Sequence, residues 1–378
     1  MTVADAEGGE PRRFEVVERL AHGANSQTFL ARGWDGVYAI LKAPRLVGGV
    51  EHDLRIEELI LRQLQHETLV EFLGSGRTAE GVLVLASERA FTNPLELLAD
   101  PAVRGVFPDD PGTRYYPLPL PIACGLARDL SAGIAHMQRH GFVHHDVKPQ
   151  NFMLRVEGQR RVARPPKHVL LRAALEGAAR GVLIDIGASR SIAYLQDLNA
   201  GREDGRVVTP QATPLFSPPE LLLGERGADE VTRRRHHPSL DVYAAALVIY
   251  SLLTGRRAYD HLRGVLLDSL EALLDVKRAE RRAELLPLDH DALRRTRGLG
   301  RRAEDVAGFL ARCAAPRPES RPSPDALARF CAQLQRASAA ALRERGTPFF
   351  GRGASAPPAR SVNTPSGARP VEPPPWRC

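Results

Sequence analysis

Through about Phe91 the apolar positions come in short runs. FEVVERLA (14–21), QTFLARG (27–33) and VYAILKAP (37–44) carry β-branched and aromatic residues and are separated by HGANS and WDG; each reads as a strand. Over Glu51–Gln65 the pattern changes: Leu54, Leu61 and Leu64 recur at helical spacing and predict an amphipathic helix. LVEFLGSG (69–76) and GVLVLASE (81–88) then read as two further strands. After Phe91 the period is helical. NPLELLADP opens this part, and PIACGLARDLSAGIAHMQRHG follows, ending on Gly141 as a C-cap. Further helices are expected near Leu240–Thr254, Leu262–Ala283, Ala303–Ala314 and Pro324–Arg343.

Strands first and helices after predict an α+β fold in two lobes. The expected division is a flexible N-terminus over 1–11, a β-rich N-lobe with one key helix over 12–88 and a mainly helical C-lobe over 89–344. From 345 to 378 the chain is rich in Pro, Gly and Arg without periodicity and reads as a disordered tail. The run Val242–Leu253 is too short to span a bilayer and reads as a buried helix.

Composition narrows this only slightly. A hydrophobic content of 43% over 378 residues suffices for a sizeable core. The net charge of +7 favours anionic partners such as nucleotides, although Arg in an Ala- and Pro-rich background also reflects plain compositional bias. The four cysteines, Cys124, Cys313, Cys331 and Cys378, show no ligand-like spacing. Reduced thiols, no secretory h-region after Met1 and no membrane segment lead to the expectation of a cytoplasmic protein.

The chemistry concentrates in GFVHHDVKPQNFML (141–154), where Asp146, Lys148 and Asn151 fall within six residues of an otherwise apolar stretch. Either this is a turn with incidental polarity or three polar groups converge. Lys42 shares a strand face with Tyr38 and Ile40. Read alone it is an edge lysine reaching water. Glu57 sits inside the Leu54–Leu61 stripe, where a carboxylate wants a buried cation or a wet stripe edge. The two oddities explain each other. GVLIDIGAS (181–189) puts Asp185 at a strand end beside Gly187, which suits a turn or a metal site. In ATPLFSPPELL (212–222) Glu220 suits a helix N-terminus or a buried pair with Arg321.

Together and in this order, these stretches resemble the eukaryotic-type Ser/Thr protein kinase catalytic domain from about Phe14 to Leu334. LAHGANSQTFLA is similar to the Gly-rich loop, AILK to the strand bearing the phosphate-binding Lys, HHDVKPQN to the catalytic loop and DIG to the metal-binding DFG. TPLFSPPE is similar to the end of the activation segment, LDVYAAALVIYSLLTG to the central helix with its buried Asp, and CAAPRPESRP to the segment whose Arg locks to Glu220. The resemblance implies ATP and Mg²⁺ as cofactors and a protein substrate. It implies that Asp146 orients the acceptor hydroxyl and takes its proton, and that Lys148 steadies the γ-phosphate. Asn151 and Asp185 would hold Mg²⁺, and Lys42, paired with Glu57, would bind the α/β-phosphates. Ala21, Gly23, Ser26 and Thr28 would line the nucleotide.

Several positions depart from that pattern. Only Gly23 survives of three loop glycines, so nucleotide affinity is expected to fall without vanishing. Thr28 stands where the family usually has Val over the adenine. His145 replaces an Arg that pairs with an activation-loop phosphate in many relatives, which leads to the expectation of activity without that phosphorylation. Ser189, Ser191, Tyr194 and Thr209 are candidate autophosphorylation sites. The separation of Asn151 from Asp185 is long; the basic insertion, about 155–180, reads as a solvated loop, with partner docking as the other reading. No aromatic interleaving accompanies the basic runs, so nucleic-acid binding is not expected. An active Ser/Thr kinase leads. The alternatives are a pseudokinase acting as a binding module and a kinase-fold enzyme acting on a small molecule.

Overall fold

The computed structural model describes residues 2–5, 11–22, 26–44, 51–99, 118–199, 213–223, 237–262, 269–296 and 298–345. The N-lobe is a closed antiparallel barrel in the order β1-β2-β3-β4-β6-β5, built from β1 (Thr2–Asp5), β2 (Arg12–His22), β3 (Ser26–Gly33), β4 (Tyr38–Pro44), β5 (Phe72–Arg77) and β6 (Leu83–Glu88). Alternation decides which side chains fill it. Phe14, Ala31, Ala39, Leu41, Leu73, Val84 and Ala86 point inward as its core. The opposite face of β4 carries Tyr38, Ile40 and Lys42. Helix α1 (Glu51–Gln63) packs beside the barrel through Leu54, Ile60 and Leu61.

Strand β1 lies within the stretch expected to be flexible. It pairs with both β2 and β5 and closes the barrel. Its four residues give no period long enough to read from the sequence, and both of its partners lie later in the chain.

The C-lobe is organised on α2 (Pro94–Ala99), α3 (Leu120–Arg139) and, further along, α7 (Leu240–Thr254). Every residue of α7 is buried, in keeping with its all-round apolar sequence. Helix α3 ends where expected: Gly141 takes a φ of 80°, the left-handed conformation that glycine accepts most readily. After β7 (Phe142–Val143), the hairpin of β8 (Phe152–Val156) and β9 (Ala179–Leu183) carries the functional turns at its ends. The remaining helices are α4 (Lys167–Leu175), α5 (Ile192–Asn199), α6 (Pro219–Leu222), α8 (Leu270–Arg281), α9 (His290–Arg295), α10 (Ala303–Cys313) and α11 (Pro324–Arg345), with β10 (Arg190–Ser191) between β9 and α5. Of the helix expected over Leu262–Ala283, the described residues carry Leu270–Arg281, while 263–268 lie outside the described residues.

The insertion departs from the expected solvated loop. Within it, α4 buries Leu170, Leu171 and Ala173. The loop between β8 and α4 reaches back to the N-lobe: the Tyr38 N–H donates to the Arg160 carbonyl at 2.8 Å, and Arg160 pairs with Glu71 at 2.7 Å. Arg164 pairs with Glu18 on β2, and Arg155 with the buried Glu88 at 2.9 Å. These contacts form a strap joining the lobes beside the covalent connection that follows β6. A second junction runs through the backbone, where the Leu183 N–H donates to the Thr68 carbonyl and the Val70 N–H to the Leu183 carbonyl, both at 2.9 Å.

Candidate active site

Strand register decides what faces the cleft. In antiparallel pairing, directly opposed residues share a face. Ala21 opposes Thr28, Thr28 opposes Lys42 and Lys42 opposes Leu85, a row across four strands. Ser26 opens β3 opposite Pro44. Gly23, expected in the same loop, lies outside the described residues.

Lys42 and Glu57, joined in the sequence reading only by mutual need, do meet. The Lys42 Nζ lies 2.8 Å from Glu57 Oε2 and 2.7 Å from Asp185 Oδ1. Glu57 is buried, and its burial pushes its carboxyl upward against the pull of Lys42. For Lys42, burial acts to lower the pKa, but the charges of Asp185 and Glu57 together outweigh it and the ammonium is held. The charge of Lys42 brings Asp185 down to about 2 despite desolvation, so it is a carboxylate at neutral pH.

Two residues of the site hold left-handed backbone without being glycine: His145 at φ 70° and Asp185 at φ 57°. Such conformers cost about 1–3 kcal/mol each and persist only where the surroundings fix them. Here the fixing groups are visible. Both Asp241 oxygens, at the start of α7, accept backbone N–H groups, from His144 at 2.7 Å and His145 at 2.9 Å. The ring of His144 spans the other two turns. Its Nδ1 accepts the Asp146 N–H at 3.3 Å, so its Nε2 carries the proton and donates to the Ile184 carbonyl at 3.1 Å. One buried imidazole thus ties the turn bearing Asp146 to the turn bearing Asp185. The sequence reading assigned His144 no role; its signal was a second His directly before His145-Asp146.

Asp146 is held on all sides. Its Oδ2 accepts from Asn151 Nδ2 at 3.0 Å and lies 2.6 Å from Lys148 Nζ. Its Oδ1 accepts the N–H and the hydroxyl of Thr213, each at 3.1 Å. The Thr213 oxygen in turn accepts from Lys148 at 2.9 Å. Thr213 is a second residue missed from sequence, because nothing local distinguishes it from any Thr before a Pro. Farther along, Glu220 and Arg321 make the buried double pair expected of them, at 2.6 and 2.9 Å. Of the candidate modification sites, Ser189 is fully buried, Ser191 and Tyr194 are partly exposed, and Thr209 lies outside the described residues.

The structure thus brings together Lys42, Glu57 and Asp185, and separately Asp146, Lys148 and Asn151, with His144 between the two groups. This site sets two ammonium groups, Lys42 and Lys148, among the carboxylates of Glu57, Asp185 and Asp146. The sequence profile described as the protein kinase domain matches residues 14–331, most of the chain. The chain belongs to the protein kinase family. Among curated relatives of this kinase domain, the calcium/calmodulin-dependent protein kinase cmkB of Emericella nidulans is 25% identical over 310 residues, 82% of this chain and 59% of that relative. The serine/threonine-protein kinase ArnS of Sulfolobus acidocaldarius is 28% identical over 127 residues, 34% of this chain and 17% of the relative. The dual specificity protein kinase shkA of Dictyostelium discoideum is 24% identical over 209 residues, 55% of this chain and 31% of the relative. The chain thus spans less than two thirds of the length of each.

The donor set fits the ligands that the family implies. Asn151 donates through its Nδ2 to the Asp146 backbone carbonyl as well as to the carboxylate, which leaves its own amide oxygen for a cation. Asp185 keeps a second oxygen beyond its contact with Lys42. Among the described residues no cluster of three or more His, Cys, Asp or Glu could hold a metal ion. Two hard oxygens suit Mg²⁺, which retains waters and takes its other ligands from a phosphate chain. None of the described helices is long and apolar enough to cross a membrane.

Proposed function

We propose that the chain is an ATP- and Mg²⁺-dependent protein kinase that phosphorylates Ser or Thr hydroxyls. The observation that carries this is the placement of the Lys42 ammonium between Glu57 and Asp185, on the face shared with Thr28, across from the cage holding Asp146. A binding scaffold has no need of a desolvated ammonium beside a left-handed Asp and of a caged carboxylate as well. In this reading Lys42 receives the α/β-phosphates, while Ala21, Gly23, Ser26 and Thr28 border the nucleotide. Asn151 and Asp185 hold Mg²⁺, which supplies charge neutralisation at the phosphates. Asp146 orients the acceptor hydroxyl and takes its proton as the new O–P bond forms and ADP leaves; Lys148 stabilises the transferred group. The preference for Ser and Thr is supported by Lys148 and its bond to Thr213, and by the serine/threonine names of some relatives. Three free, buried cysteines, Cys124, Cys313 and Cys331, are compatible with a cytoplasmic setting.

The second reading, a nucleotide-binding pseudokinase, is favoured by one feature: of the three glycines of the phosphate-covering loop, only Gly23 is present. One experiment separates the two. Wild type and Asp146→Asn are incubated with labelled ATP, Mg²⁺ and a generic basic protein. Transfer by the wild type alone supports catalysis. Nucleotide-dependent thermal stabilisation without transfer supports the binding module.

A further inference from the structure

We propose that Lys277 and Glu280, on α8, are positioning residues for phosphotransfer: with the hydroxyls of Tyr243 and Tyr259 they lock α8 onto α7 and fix the Glu220–Arg321 pair behind the loop 213–219. This rests on the reading of the site as a phosphotransferase, and adds to it two residues of a helix to which the reaction assigns nothing.

The cluster is closed on itself. Lys277 and Glu280 stand one turn apart on the inner face of α8, and both side chains are 0% exposed. The Lys277 ammonium donates to the Tyr243 hydroxyl at 2.8 Å and to the Tyr259 hydroxyl. Each hydroxyl donates in turn to Glu280, Tyr243 to Oε1 at 2.5 Å and Tyr259 to Oε2 at 2.8 Å. Both phenol protons thus go to one carboxylate, and both phenol oxygens accept from one ammonium. Burial, reinforced by the charge of Glu280, raises both phenols well above their ordinary value, so they remain donors. Tyr259 also holds a left-handed backbone, with φ 69°, which a residue other than glycine keeps only where its surroundings fix it. Its side-chain bonds and the bond from its N–H to the Pro287 carbonyl, at 2.9 Å, are those surroundings.

Stability alone does not account for this cluster. A buried ion pair adds little net stability, and apolar side chains of similar volume fill such a space as well or better. What a fully satisfied set of directional bonds adds is a unique position. Here it sets the rotation of α8 and the place of the Tyr243 ring.

That place matters to the active site. The Arg321 guanidinium lies over the Tyr243 ring, 5.0 Å from its centroid. Arg321 makes the double pair with Glu220 and donates through Nε to the Ala315 carbonyl at 2.8 Å. Glu220 sits in α6, on which α8 packs directly. The loop 213–219 leads into α6. Within it the Ser217 hydroxyl donates to the Thr213 carbonyl at 3.0 Å, and Thr213 holds both Asp146 and Lys148. Lys277 and Glu280 therefore reach the caged carboxylate by contiguous contacts through Tyr243, Arg321, Glu220 and Thr213. Lys42, Glu57 and Asp185 lie off this path, so loosening it acts on transfer rather than on nucleotide binding.

The test uses the full chain, labelled ATP and a generic basic protein. Lys277→Met combined with Glu280→Leu replaces the pair by apolar side chains of similar volume. The expected result is thermal unfolding unchanged or raised, KM for ATP within about twofold of wild type, and kcat per folded molecule lower by about tenfold. Hydrogen exchange should quicken at the amides of Phe216 and Ser217, both of which bond the Thr213 carbonyl. A merely structural pair would move neither the exchange at that loop nor kcat per folded molecule. Tyr259→Phe deletes one bond to Glu280 at nearly constant volume, and should give the same split at about threefold in kcat. If the double variant does not fold, Tyr259→Phe decides. Wild-type kcat and wild-type loop exchange in the folded variant, or a fall in kcat matched by a rise in KM for ATP, would overturn the inference and leave the kinase reading standing. No transfer by the wild type would overturn the kinase reading, and this inference with it.

Discussion

Thr213 bonds Asp146 twice, through its backbone N–H and its hydroxyl, and both bonds end on Oδ1 at 3.1 Å. With Lys148 and Asn151 on Oδ2, the carboxylate is fully occupied, so an incoming acceptor hydroxyl must displace one partner. The Thr213 hydroxyl also fixes Lys148. Thr213→Val keeps the backbone bond but leaves the Lys148 ammonium with Asp146 alone, one partner in place of two. We expect kcat on a protein substrate to fall by about 10–100-fold, in the range of a displaced catalytic partner, while Thr213→Ser retains most of it. Equal activity in the Val and Ser variants would show that the hydroxyl is dispensable.

Gly187 explains the glycine after Asp185. A Cβ there would stand 3.0 Å from Glu57 Oε2, 3.2 Å from Lys42 Nζ and 3.5 Å from Asp185 Oδ1. The three charged groups converge on the space a methyl would fill. Gly187→Ala should therefore part Lys42 from its acidic partners, at about 1–3 kcal/mol of overpacking. The expected readout is a raised KM for ATP with a smaller change in protein-substrate KM. An unchanged nucleotide KM would show that the cluster yields without consequence.

Much of this was legible in the sequence because it is local. The seven-residue step from Leu54 to Leu61 located α1, and the all-apolar run Val242–Leu253 located α7. The spacing within HHDVKPQN placed Asp146, Lys148 and Asn151 together before any fold was known. What was hidden depends on residues distant in the chain. His144 matters because it reaches Ile184, and Thr213 because it lies against Asp146. Strand β1 has only four residues and exists through its pairing with β2 and β5. The insertion misled for a different reason: its many arginines read as a solvated face, yet their partners, Glu18, Glu71 and Glu88, lie in the other lobe.

That strap makes a graded prediction. Arg160–Glu71 and Arg164–Glu18 are largely exposed pairs, which contribute about 0–1 kcal/mol, and Arg160 reaches the buried Glu88 only at 3.4 Å. Arg155–Glu88 differs, since the Glu88 side chain is only 3% exposed. Removing its main cation leaves a desolvated carboxylate, so Arg155→Ala should cost roughly 2–4 kcal/mol, while Arg160→Ala with Arg164→Ala costs about 1 kcal/mol or less. The double variant should still loosen the strap, read as faster hydrogen exchange at the Tyr38 amide, which bonds the Arg160 carbonyl. Denaturant unfolding that ranks the variants the other way round would overturn this account of what joins the lobes.

At the back of the same junction three imidazoles lie in a row, each ring tilted against the next. His136 lies 4.5 Å from the ring of His66 and 4.2 Å from that of His140, and its buried Nε2 makes no hydrogen bond among the described residues. Desolvation first, then His66, His140 and Arg139, bring its pKa down to about 4 from an ordinary 6.5. The acids nearby, Glu67 and Asp129, act on His66, whose own pKa is also lowered by burial. Between pH 4 and 6.5 the unfolded chain therefore binds a proton that the folded chain refuses at His136. The stability this group contributes is fully present above 6.5 and is lost as pH falls toward 4. Glu57, Glu88, Asp129 and Asp241, all raised by burial, act in the opposite sense as they protonate, so the total profile mixes both signs. The difference between wild type and His136→Gln removes them. Urea unfolding at a series of pH values should show the wild type losing stability relative to the variant as pH drops from 6.5 to 4, with no divergence above 7. Parallel profiles through that window would mean that the row of imidazoles accepts protons as readily as the unfolded chain does.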